Sequence, residues 1–194
     1  MAMTMAIVVS VQAQHEKEPE SKIYKRFKRK MKFYPGTVTL KDSTVLEGVI
    51  RRYTSNLVDG DIRIVTKDGE KKLFYARQVL GYKTSKKYVT FDGEFYKEET
   101  LNRNLSLYSR IGTNTYSTGG GPNGGMMTYS TSYTMYYLKK SNETVPKYVP
   151  STKRKFKAFA SYFSECESVM KAVASGDLKY DGIQDVVGKY NRCR

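Results

Sequence analysis

Tryptophan is absent from the 194 residues, and histidine occurs once, at His15. Because this one histidine stands in a polar N-terminal tail (Gln14 to Glu18), catalytic triads with a histidine base and histidine metal sites are excluded in practice. Acidic residues cluster at 94–99 and 59–61. Carboxylate-pair hydrolysis stays open as an alternative, although such clusters on turns and strand ends are usually solvated charges. The sequence therefore predicts a non-enzymatic protein with no cofactor and no metal.

Cysteine is scarce, with Cys166 and Cys193 the only two in the chain. An even count predicts a disulfide in an oxidising compartment, where the bond would contribute roughly 3 kcal/mol. Two reduced thiols in a cytosolic protein are the alternative. Because no histidine lies nearby, the pair is too small for a zinc site.

Long apolar runs are missing as well. Residues 5–11 are apolar apart from one serine, whereas a membrane-spanning helix needs about 20 apolar residues. Small side chains at Val11 and Ala13, followed at once by polar residues, are typical of a signal-peptide cleavage site. No basic residue precedes the run, so we expect 1–13 to be the end of a longer signal peptide. Cleavage near Ala13 would leave a periplasmic or secreted protein without a transmembrane span. An ordinary buried or frayed N-terminus is the alternative.

Positive charge is what the sequence has in excess, with a formal net charge of +15. This charge favours anionic partners such as nucleic acid, lipid phosphates or acidic polysaccharide. Residues 14–35 are expected to form a basic linker, and Ile23, Phe27 and Met31 predict an apolar stripe if part of it is helical. A basic segment of this kind binds an anionic membrane surface or phosphate groups. The alternative is a solvated tether without a ligand. The candidate anion-binding residues are Lys22, Lys25, Arg26, Lys28, Arg29, Lys30 and Lys32.

Three similar stretches predict β-hairpins over 36–98 within a β domain over 36–148: VTLKDST at 38–44, VTKDGE at 65–70 and VTFDGE at 89–94. Asp-Gly supplies the positive φ angles of a type I′ turn. Gly48 inside a predicted strand indicates a bulge or a bend, as in a sheet that curls towards a small barrel.

A glycine-rich hairpin loop is predicted at 112–126, between strands at 103–111 and 127–139. Its glycines formally match G-x-G-x-x-G, but Pro122 interrupts the motif and a β-rich run follows. A nucleotide site needs a helix there, so we interpret the segment as a loop.

The period changes after Pro150, where apolar residues spaced three or four apart predict C-terminal helices over 151–194. Their predicted buried faces are Phe156, Phe159, Phe163, Cys166, Met170 and Val173, and then Ile183, Val186, Val187 and Tyr190. Ser164 and Asp181 are the predicted N-caps, and Gly176 is the predicted stop. The predicted fold class is α+β: an antiparallel, hairpin-rich, barrel-like sheet with a C-terminal helical segment.

Two resemblances accompany these patterns. GTVTLKDSTVLEGVI, KLFYARQVLGY and YFSECESVMKAVASG are similar to segments of short exported proteins of Gram-negative bacteria without assigned activity. That resemblance implies a periplasmic or envelope location and no known catalytic residues. Val38–Ile50 also resembles the first motif of Sm-like small barrels, which bind RNA, although Ser43 stands where that motif has glycine.

The leading expectation is an exported, non-enzymatic binding or scaffolding protein of the envelope. Its contact surfaces would be 22–32 and the glycine-rich loop, and its partner an anionic envelope surface, a polysaccharide or a protein. The alternative is a nucleic-acid-binding small barrel, motivated by the charge and by 17 tyrosines that offer rings for stacking. Export argues against nucleic acid as the partner.

Overall fold

The computed structural model describes residues 20–52, 61–118 and 127–193. The predicted signal peptide, His15 and the G-x-G-x-x-G glycines lie outside this range. The helices are α1 (Lys22–Lys28), α2 (Lys153–Ala158), α3 (Glu167–Ser175) and α4 (Ile183–Arg192). Short 3-10 turns occupy Ala76–Gln78, Phe159–Phe163 and Tyr180–Gly182. The strands are β1 (Tyr34–Leu40), β2 (Val45–Arg52), β3 (Asp61–Thr66), β4 (Lys71–Tyr75), β5 (Val79–Lys83), β6 (Lys87–Phe91), β7 (Glu94–Thr100), β8 (Leu105–Thr118), β9 (Met127–Lys140) and β10 (Lys147–Tyr148).

All ten strands belong to one antiparallel sheet in the order β10-β9-β8-β7-β6-β5-β1-β2-β3-β4. The predicted antiparallel, hairpin-rich sheet and the C-terminal helical segment are confirmed. The order ends at β10 and β4, so the described strands form an open sheet, and barrel closure stays a prediction. The register passes through Gly48 without a bulge, since Gly48 pairs with Gly36 on one side and Thr66 on the other.

The three similar turn sequences form two kinds of turn. Asp92 and Gly93 both have positive φ, 48° and 75°, as a two-residue type I′ hairpin requires. In the other two copies only the third loop residue has positive φ, with 97° at Gly69 and 70° at Ser43. The Gly69 N–H donates to the Thr66 carbonyl and the Ser43 N–H to the Leu40 carbonyl. Both are three-residue loops. In the loop at 41–43, Ser43 takes the left-handed position that glycine occupies in the other.

The core of the described chain consists of three apolar clusters. Successive strand residues point to opposite faces of the sheet, so both faces can carry buried residues. One face of the N-terminal strands is buried in a cluster that includes Val38, Ile50, Ile62, Ile64, Val79 and Phe95. The other face carries Val49 and Val65 beneath α1. The C-terminal helices bury a separate cluster on β8 and β9, which includes Leu105, Leu107 and Leu138.

The C-terminal segment buries the predicted apolar residues, except that Phe159 and Met170 are partly buried at the edge of the cluster. Cys166 and Cys193 form the predicted disulfide. Gly176, with φ 95°, ends α3 as expected. Both predicted N-caps are wrong: Ser164 follows the 3-10 turn Phe159–Phe163, and Asp181 lies within the 3-10 turn Tyr180–Gly182. Helix α3 begins after Cys166 and α4 after Gly182.

Two predicted segment boundaries are also corrected by the structure. The described part of the predicted 14–35 linker contains α1 and the start of β1, and it packs on the sheet. The predicted loop at 112–126 begins too early, because β8 continues to Thr118. Gly112 fits within the strand since the Tyr133 ring of β9 covers it, 2.6 Å from where a Cβ would stand. No helix within the described ranges is long and apolar enough to cross a bilayer.

Candidate anion-binding surface

Helix α1 is fixed to the sheet at its first turn. Ser21 is the N-cap, and its Oγ accepts a hydrogen bond from the Tyr24 N–H at 3.1 Å. The Ser21 N–H donates to the Lys67 carbonyl at 2.9 Å, which joins the helix to the β3–β4 turn. Gly69 of that turn lies against the cap, because a Cβ there would stand 2.6 Å from the Ser21 Oγ.

The apolar side of this segment differs from the predicted stripe. Tyr24 and Phe33 are buried against Val49 and Val65, and Phe27 is partly buried beside them. Met31, by contrast, is 91% exposed. The helix ends at Lys28, so the four-residue spacing that pointed to Met31 no longer describes one helical face.

All seven candidate anion-binding residues lie at the exposed surface of α1 and the turn that follows it. In the described part of the chain, Lys28 is the one member of the set with an ion pair, to Glu20 at 3.0 Å. The remaining six side chains therefore present their charge to solvent from a segment anchored by Tyr24 and Phe33.

Two phenylalanines form the centre of this surface. The rings of Phe27 and Phe33 meet edge to face with centroids 4.9 Å apart. The Lys30 ammonium lies 4.6 Å from the Phe27 ring centroid, and the Lys71 ammonium approaches the same centroid to 5.3 Å. The Arg51 guanidinium stands 6.0 Å from the Phe33 ring. We call Phe27, Phe33, Lys30, Arg51 and Lys71 the basic platform.

The sheet register explains why these cations converge. Lys71 pairs with Val65 across β3 and β4, and Val65 pairs with Val49 on β2, so the three side chains share the face beneath α1. Arg51 follows Val49 by two residues and joins the same face. Arg51 and Lys71 were not predicted from the sequence. The alternation of side chains along β2 and β4 places them on this face only when the pairing of the strands is known.

Two carboxylates on the neighbouring elements form ion pairs with lysines. Glu47 on β2 pairs with Lys67, and Glu70 in the β3–β4 turn pairs with Lys72 at 2.9 Å. The hydrogen bond and charge of Lys67 hold the pKa of Glu47 below its ordinary value. Both ion pairs are therefore made with lysines that do not belong to the basic platform.

A second group of titratable side chains joins the C-terminal helices to β9. Tyr162 donates to Glu143 at 2.6 Å, and Tyr190 donates to Glu165 at 3.0 Å. Lys140 pairs with Glu165 at 2.7 Å and lies over both tyrosine rings. Burial and the hydrogen bond to a glutamate raise the pKa of each tyrosine, to about 12 for Tyr190. Neutral, hydrogen-bonded tyrosines fit a structural clamp better than a general base.

The acidic cluster on β7 has partners as well. Glu94 pairs with Arg110, Glu98 with Lys87 and Glu99 with Lys97. Burial opposes ionisation of Glu99, but hydrogen bonds from Lys97 and Ser109 outweigh it and lower the pKa. A carboxyl that serves as a general acid needs a raised pKa instead. Within 20–52, 61–118 and 127–193, no group of three His, Cys, Asp or Glu side chains is arranged to hold a metal ion.

Comparisons with protein-family models, with curated proteins and with solved structures find no match to this chain.

Proposed function

We propose that this is an exported, non-enzymatic envelope protein that attaches to an anionic surface through the basic platform. The observation that carries the proposal is the meeting of Lys30 and Lys71 over the Phe27 ring. One lysine follows α1 and the other begins β4, so exposed cations from two distant parts of the sequence share one surface. The expected ligand is a phosphate- or carboxylate-bearing lipid or polysaccharide, and the apolar run before Ala13 supports export.

The platform also suits an anionic surface because its charges are held on a rigid base. A cation over an aromatic ring gains about 0.5–1 kcal/mol at an exposed site, which orders Lys30 and Lys71 before a ligand arrives. Five further exposed cations on and after α1 extend the positive region: Lys22, Lys25, Arg26, Arg29 and Lys32. Each basic residue near an anionic membrane contributes about 1 kcal/mol to binding.

The test is flotation with vesicles that contain anionic lipid, compared with zwitterionic vesicles. We expect the protein to float with anionic vesicles and Lys30→Glu/Lys71→Glu to lose most of that binding. The matched control is Lys153→Glu/Lys155→Glu, which makes the same charge change on exposed residues of α2. Equal loss in both variants would show that net charge alone drives binding, and unchanged binding of the first variant would remove the platform from the proposal. A parallel pull-down with an acidic polysaccharide identifies the ligand class.

A nucleic-acid-binding small barrel is the second candidate. It is favoured by the contiguous strand order β5-β1-β2-β3-β4, with the Val38–Ile50 motif on the β1–β2 hairpin and α1 preceding it. The partly exposed Phe27 ring also lies beside two cations, Lys30 and Lys71, a combination typical of surfaces that bind single-stranded nucleic acid. This candidate predicts that affinity for a single-stranded oligonucleotide falls linearly with log salt. Lys30→Ala should reduce that slope by about 0.7. Absence of binding at low salt would eliminate it.

A further inference from the structure

The hairpin of β8 and β9 extends beyond the rest of the sheet. The pairing of β7 with β8 ends at Lys97 and Ser109, whereas β8 and β9 stay in register as far as Thr118 and Met127. We call Ile111–Thr118 with Met127–Thr134 the arm. Eight residues per strand give the arm a length of roughly 26 Å at about 3.3 Å per residue.

The arm lies in a long stretch without charge. Residues 111–138 contain no Asp, Glu, Lys or Arg in a chain whose net charge is +15. The register places only Ser and Thr beside Ile111 on one face, and Thr115 and Ser130 meet there at 3.4 Å. The other face carries Tyr116, Tyr129 and Tyr133, each about half exposed.

The outer edge of β8 lacks the usual protection of an edge strand. Natural sheets cover such edges or break them with lysine, proline or bulges, because unpaired N–H and C=O groups recruit another strand. From Ile111 to Ser117 the described sheet places no strand on the side of β8 opposite β9. The segment contains no charge and no proline, and its pairing with β9 has no bulge.

We propose that the β8 edges of two copies pair antiparallel about a twofold axis and join the two sheets into one. A second copy is the occupant that the charge distribution favours. Two chains of net charge +15 repel each other, and the arm is the place where they can meet without opposing lysines. An exposed strand edge is also complementary to itself, as a twofold contact requires.

The dependence on salt concentration distinguishes this self-association from the proposed anion binding. Raising the ionic strength shortens the Debye length, about 10 Å at 0.1 M, and weakens the repulsion between two basic chains. Self-association through the arm therefore strengthens with salt. Binding of the basic platform to an anionic ligand weakens under the same change, so either proposal can fail without the other.

The test is sedimentation velocity of the full chain over a concentration series at low and high salt. We expect a dimer that tightens as salt rises. Thr113→Lys/Thr115→Lys should weaken it about tenfold or more, because lysines would oppose each other across the new pairing. The matched control adds the same charge at exposed turn positions, Ser85→Lys/Ser141→Lys, and should retain the dimer.

A cysteine scan tests the geometry without relying on the lysine variants. Thr113→Cys, Thr115→Cys and Ser117→Cys are made singly, and antiparallel pairing predicts that the residue nearest the twofold axis forms an intermolecular disulfide most readily. A chain that sediments as a monomer at every concentration and salt would overturn the proposal. A dimer that Thr113→Lys/Thr115→Lys leaves unaffected would also overturn it. If Tyr116→Ser/Tyr133→Ser abolished such a dimer, the two copies would meet through the tyrosine face of the arm and not through the β8 edge.

Discussion

Asn191 on α4 bonds to both backbone groups of Leu105 at the start of β8. The Leu105 N–H donates to the Asn191 Oδ1 at 3.0 Å, and the Asn191 Nδ2 donates to the Leu105 carbonyl at 2.8 Å. The pairing of β7 with β8 begins two residues later, at Thr100 and Leu107. A helical side chain therefore takes the place of a neighbouring strand and ties the C-terminal helices to the sheet.

Replacement of this asparagine should be costly. In Asn191→Leu the side-chain volume is similar, but a buried N–H and a buried C=O of Leu105 lose their partner. We expect a loss of about 2–4 kcal/mol in the free energy of unfolding, measured with urea. The control, Asn142→Leu, changes an exposed turn residue and should lose less than about 0.5 kcal/mol. Equal losses in both variants would contradict the assigned role of Asn191.

Two glycines should respond to alanine with opposite signs. At Gly48 a Cβ would collide with the Val65 carbonyl and stand 2.8 Å from the Ile64 Cγ1, so Gly48→Ala should destabilise the protein by about 1–3 kcal/mol. At Gly188, within α4, nothing lies within 4 Å of the added Cβ. Gly188→Ala should therefore stabilise the protein by about 0.5–1 kcal/mol through helix propensity. Thermal unfolding of both variants checks the pair, and a neutral Gly48→Ala would show that β2 and β3 can separate there.

Tyr190 should make stability depend on pH in the alkaline range. Burial and the hydrogen bond to Glu165 raise its pKa from 10 to about 12. Because the folded-state pKa is raised, the stability that Tyr190 contributes is complete below pH 10 and is lost as pH rises through about 12. The difference in unfolding free energy between the wild type and Tyr190→Phe should shrink across this window. Tyr34→Phe, at an exposed position, is the control, and a constant difference for Tyr190→Phe would contradict the prediction.

The sequence predicted those parts of the fold that depend on local periodicity. Alternating apolar residues and Asp-centred turns identified the hairpins, and three- and four-residue spacing identified the buried faces of the C-terminal helices. The caps at Ser164 and Asp181 were wrong, because nothing in the apolar spacing distinguishes a 3-10 turn from the first turn of an α-helix. The end of β8 was missed because glycine and threonine at 112–118 resemble a loop until Tyr133 is known to cover Gly112.

Only part of the candidate site could be predicted from the sequence. The cations of α1 and the following turn stand out as a charged run in one segment. Lys71 and Arg51 join them through strand pairing, which depends on contacts between residues far apart in the sequence. Anchoring of the segment by Tyr24 could not be inferred either, because a spacing of four assigned the inward side to Ile23 and Met31.

The separation of the apolar clusters has a consequence for how the molecule opens. Phe95 on β7 belongs to the N-terminal cluster, and Leu105 and Leu107 on β8 belong to the C-terminal one. The sheet is continuous across this boundary, yet the apolar burial on the face that carries these three residues is divided between two clusters. We expect the molecule to open as two foldons that meet between β7 and β8. Amide hydrogen exchange should then show one level of protection in the N-terminal foldon and a different level in the C-terminal foldon.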